Sequence, residues 1–126
     1  MKSLLIVTSV LEAATGVALL AAPALIVSIL LASALDAPAS IFAARLAGAA
    51  LLSLGIACWL ASRDTKSRAG RGVVTAMSSY NVLAVALLVY AGLGAGMAGI
   101  GLWPAVLVHL GLAAWCATGL LRQDLS

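Results

Sequence analysis

Four long apolar blocks, parted by short polar or glycine-rich breaks, constrain this chain more than any other feature. They run from Leu4 to about Leu35, from Pro38 to about Ser62, from Val73 to about Ala91 and from Leu102 to about Leu121. A helix that crosses a bilayer needs about 20 mostly apolar residues, each rising 1.5 Å. Strands of a membrane barrel would instead alternate apolar and polar residues over about 10 positions. The blocks are continuously apolar and rich in Ala and Leu, so helices are expected throughout.

Composition closes off the other classes. Of 126 residues, 64% are apolar and only 9% are charged, with a mean hydropathy of +1.19. A soluble domain is roughly 45–50% apolar and about 25% charged. So few charges cannot cover a water-facing surface, and so many apolar residues do not leave a chain disordered. The net charge of +3 comes from one short loop and the chain ends. Without a basic face, no nucleic-acid partner is expected. The expected fold is an all-α integral membrane four-helix bundle, a single transmembrane domain over residues 1–126 whose partner is the lipid bilayer.

The first block is too long for one span. About 32 residues of helix would reach roughly 48 Å, against a hydrocarbon core of about 30 Å. Pro23 divides it, because proline removes a helix hydrogen bond and clashes with the carbonyl of Leu19. The expectation is a span over about 4–22, then a kinked extension or a short interfacial helix to residue 35. The other spans are expected at 38–62, 73–91 and 102–121, with Pro38 as a favourable helix start. Lys2 and the small-x-small string Ala22-Pro23-Ala24 imitate a secretory signal. Glu12 interrupts its apolar run, so this segment is expected to be retained.

The few bases fall on one side. Four spans place both termini with the 63–72 loop, and that side collects Lys2, Arg63, Lys66, Arg68, Arg71 and Arg122, six of the seven bases. The opposite side has the Asp36 turn and the glycine-rich stretch from Gly92 to Gly101, with no base. The positive-inside rule therefore gives an N-in/C-in bundle, multi-pass in a bacterial inner membrane.

Each block carries a strongly polar residue well inside it: Glu12, Arg45, Asn81 (beside Tyr80) and His109. Such groups cost at least about 2.5–3.5 kcal/mol at a bilayer's centre when charged, and usually face the bundle interior. Counting from the span ends puts Glu12 and Asn81 about 12 Å from the cytoplasmic side, and Arg45 and His109 about 10 Å from the outer side. The two layers lie within reach of a Glu12–Arg45 ion pair. Glu12, Arg45, Tyr80, Asn81 and His109 are thus expected to form one intramembrane polar cluster. It reads either as structural glue or as a proton- or solute-handling site. In the second reading Glu12 exchanges a proton for a cation.

Other chemistry finds little footing. One His excludes a bis-His haem within a single chain, leaving only His109 with Met77 or Met97 as axial ligands. Cys58 and Cys116 form no CxxC, and no spaced cluster of His, Cys and carboxylates is present, so neither metal nor other cofactor is expected. The two cysteines lie at similar depths near the cytoplasmic side and are expected to be neighbouring thiols. No nucleophile–base–orienter set appears, and no catalytic residue is assigned: the chain is not expected to be an enzyme. The glycine-rich stretch lacks the lysine of a phosphate loop and reads as a plain flexible loop.

Several strings taken together are familiar: Glu12-Ala13-Ala14-Thr15-Gly16, Leu35-Asp36-Ala37-Pro38, Arg45-Leu46-Ala47-Gly48, Gly55-Ile56-Ala57-Cys58-Trp59-Leu60-Ala61, Tyr80-Asn81 and Trp103-Pro104-Ala105. Over most of its length the chain resembles uncharacterised small bacterial four-helix integral membrane proteins. That resemblance implies fold and localisation, and no activity. A looser likeness is to small multidrug resistance transporters, which also have four short spans and a glutamate near the middle of the first helix, where Glu12 stands. The chain departs from them in its longer first block, the Arg in its second helix and the missing third-helix glycine pattern. About 126 residues enclose little volume for both a core and a solute path. An oligomeric or accessory subunit, or a homodimeric proton-coupled transporter using Glu12, is therefore expected.

Overall fold

The computed structural model describes residues 1–124, and no strand occurs among them. Five α-helices account for most of the chain: α1 Lys2–Ala21, α2 Pro23–Leu31, α3 Pro38–Ala61, α4 Arg68–Val89 and α5 Leu102–Asp124. A single π-helical turn, Tyr90–Gly94, extends α4. Four helices are long and apolar enough to cross a membrane: α1, α3, α4 with its π turn, and α5.

The first block breaks where proline chemistry requires it. A residue before proline is pushed out of the helical region, and Ala22 takes φ −137°, ψ 61°. Pro23 then opens α2 at a position where its missing N–H costs nothing. The extension is therefore a separate nine-residue helix. It stops at Ala32, whose left-handed φ of 50° ends the helix while its N–H still bonds Ser28 O at 3.0 Å.

Helix α4 starts earlier than hydropathy alone indicates. Ser67 caps it, accepting from Gly70 N at 3.0 Å, so the helix absorbs residues 68–72 of the polar stretch. With the π turn, its apolar span runs from Arg68 to Gly94.

The helices form two pairs. Helix α1 packs intimately on α3, and α4 on α5. Glycine sets the first contact. A Cβ on Gly16 would lie 2.6 Å from Leu52 N and 2.7 Å from Gly48 O, and one on Gly48 would lie 2.8 Å from Gly16 O. Gly55 is similarly close to Ala13 N, at 2.9 Å. The two backbones therefore touch, as small residues permit between apolar helices.

The two pairs share less contact, and they meet at the two ends of the bundle. At the end where α1 begins and α5 finishes, Leu4, Leu5, Cys58, Val74, Met77, Leu112 and Cys116 form one buried cluster. Cys58 and Cys116 are neighbours there, and both thiols are free. At the opposite end α2 meets the glycine-rich loop: Gly99 N donates to Leu30 O at 3.0 Å and Gly101 N to Ile29 O at 2.9 Å. The loop is thus pinned by backbone hydrogen bonds and is not the plain flexible segment that its glycines predict. Gly99 is buried, and a Cβ on it would run into the Ile29 carbonyl, so glycine serves close approach here.

Large apolar side chains cover the outside: Phe42, Leu46, Leu87 and Leu107 are exposed, while Thr8, Ser9, Glu12 and Asn81 are buried with the apolar core. An exterior this apolar suits a bilayer as solvent.

Candidate functional site

Between the two helix pairs lies a cavity of about 860 Å³. Helix α1 lines it from Leu11 to Leu19, α2 with Ile26, Ile29 and Leu30, α4 from Tyr80 to Leu88, and α5 from Ala105 to Leu112. It opens because the pairs converge at the cysteine end and at the α2 strap, leaving the middle unfilled. Its walls are leucine, isoleucine, valine and alanine, broken by four polar side chains: Glu12, Thr15, Tyr80 and His109. Its size is that of sites holding small organic molecules, roughly 300–1,000 Å³.

Glu12 is only 4% exposed. Among the described residues, no hydrogen bond or ion pair engages its carboxyl, yet its oxygens are not sealed in, because the side chain lines the cavity. One turn earlier, Thr8 Oγ1 is buried without a partner. Such a hydroxyl costs about 1–3 kcal/mol.

Across the cavity, α4 and α5 are joined by a short polar relay. Asn81 is fully buried; its Nδ2 donates to Met77 O at 2.7 Å, and its Oδ1 lies 2.7 Å from His109 Nδ1. The Tyr80 ring meets the His109 ring edge to face, with centroids 5.7 Å apart and planes at 79°. The depth estimate had put Asn81 and His109 in different layers. The early start of α4 removes the offset: Asn81 stands 13 residues, about 20 Å, beyond Arg68 and so near the middle of the extended helix.

The structure therefore brings Glu12, Tyr80 and His109 to one cavity, with Asn81 behind His109. Arg45 does not join them. It is exposed on the outer face of α3, and among the described residues it forms no ion pair with Glu12. Arg45 stands only seven residues into α3, where its flexible stem carries the charge outward instead of across the bundle. Thr15 follows Glu12 by three residues and so shares its face of α1. The α2 wall was not, since nothing in an apolar string says that a second helix folds back over a cavity.

The cavity presents one carboxyl without a cationic partner, an imidazole, a phenol and a hydroxyl on an apolar wall. It can hold an amphiphile with its polar end at Glu12. Among the described residues, no group of His, Cys, Asp and Glu is placed to hold a metal ion. No protein-family model, no curated protein and no solved structure matches this chain.

Proposed function

We propose that this chain is a small multi-pass transport protein of a bacterial inner membrane, both termini cytoplasmic, that takes an amphiphilic solute into the cavity around Glu12. It works without catalysis, as a homodimer, and Glu12 alternates between a proton and the solute. The observation that carries this reading is the unpaired Glu12 carboxyl on an apolar cavity wall. An uncompensated charge in such a place costs several kcal/mol, so the site completes itself with a proton or with a cationic group of the solute. The Glu12–Arg45 ion pair that the spacing puts within reach would balance the carboxyl inside the bundle. With Arg45 on the outer face, that balance is gone.

A second reading is an accessory subunit whose helices are fastened by interior polar contacts. The Asn81–His109 bond between α4 and α5 favours it. The two readings separate on Glu12→Gln in proteoliposomes with an imposed pH gradient and a fluorescent lipophilic amine as probe. Gradient-driven uptake should fall at least tenfold in the variant while helix content and oligomer size stay unchanged. Unaltered uptake, or none in the wild type, together with altered assembly would instead support the accessory role.

A further inference from the structure

Both ends of the Asn81 amide are committed. Its Nδ2 donates to the Met77 carbonyl, a main-chain group that can only accept. Turning the amide over would set two carbonyl oxygens against each other, so its Oδ1 must face His109. An oxygen at 2.7 Å from Nδ1 requires the imidazole to donate there. In a neutral ring with the hydrogen on Nδ1, Nε2 is an acceptor. His109 lines the cavity, and among the described residues nothing bonds Nε2. The backbone of α4 thus sets, through Asn81, the hydrogen-bonding sense of a ring on α5.

We infer that Asn81 is a positioning residue that fixes the Nδ1–H tautomer of His109, so that the cavity selects ligands whose polar end donates a hydrogen bond to Nε2. The inference rests on the cavity being a binding site and names the chemistry of what enters it: a hydroxyl or ammonium head on an apolar body. A head that only accepts, such as an ether or ketone, leaves Nε2 unpaired in an apolar wall and is discriminated against. Tyr80 packs against the same ring, edge to face.

The chain has one histidine, so nitrogen NMR of labelled protein in micelles reads His109 alone. The wild type should show the hydrogen on Nδ1; a hydrogen on Nε2 overturns the inference without any ligand. The ring resonances then serve to titrate two probes of equal apolar body, para-octylphenol and its methyl ether, para-octylanisole. The phenol should bind at least about fivefold more tightly. Asn81→Leu should mix the tautomers and bring that ratio close to one. Equal binding of phenol and ether by the wild type overturns the inference and leaves the cavity as a binding site. Binding of neither probe by folded protein overturns that reading too.

Discussion

Glu12 and Arg45 are the two charged residues inside the apolar blocks, and the fold sends them to opposite environments. Glu12 is buried on the cavity wall; Arg45 is exposed on the outside of α3, seven residues from its start, where a long side chain can reach the interface. Sequence spacing could say that Glu12, Tyr80, Asn81 and His109 belong inside a bundle, because polar groups in an apolar block have few other places to go. It could not say the same reliably of Arg45, whose flexible stem lets it solve the problem alone. The consequence is measurable. Arg45→Leu should change unfolding stability in mixed micelles by no more than about 0.5 kcal/mol. Breaking a buried Glu12–Arg45 pair would cost about 3–5 kcal/mol, so a loss of that size would place Arg45 back in the interior.

Two elements owe their form to signals that read differently in isolation. Pro23 marks a break in any reading, but α2 becomes a wall because its carbonyls at Ile29 and Leu30 receive the N–H groups of Gly101 and Gly99. A glycine-rich stretch invites the word flexible; here the missing side chain allows two backbones to meet. Gly99→Ala would push a methyl into the Ile29 carbonyl. It should lower stability by about 1–3 kcal/mol and speed amide exchange at residues 99–101. Gly111 is the control, since a Cβ there meets nothing within 4 Å. Gly111→Ala, inside α5, should stabilise by about 0.5–1 kcal/mol. Protected amides at 99–101 in the Gly99 variant would mean that the strap does not depend on that approach.

For the whole molecule, the ends of the helices sort the charges. The start of α1, the last turns of α5, the 62–67 turn and six of the seven bases belong to the end closed by the cysteine cluster. The Asp36 turn and the glycine loop belong to the end closed by α2. Orientation in the membrane is therefore testable with two exposed positions, Lys66 and Ala98. In a background without Cys58 and Cys116, Lys66→Cys in intact cells should resist an impermeant maleimide, and Ala98→Cys should react with it. The opposite pattern would reverse the assignment of sides made from the positive-inside rule.

The sequence by itself determined that this chain has four helices able to cross a membrane, where Pro23 interrupts the first, and which polar residues have no business in an apolar surround. These are properties summed along a local stretch: hydropathy, length and proline chemistry need no knowledge of neighbours. Only the tertiary structure decided which of those residues meet. Rotation of α3 is set by backbone contact of Gly16 with Gly48 and Leu52, and the register of α5 is tied to α4 by Asn81 and His109. Both are agreements between segments far apart in sequence, and they leave Glu12 alone on a cavity wall because a few missing Cβ atoms draw one helix pair together more tightly than the two pairs are drawn to each other.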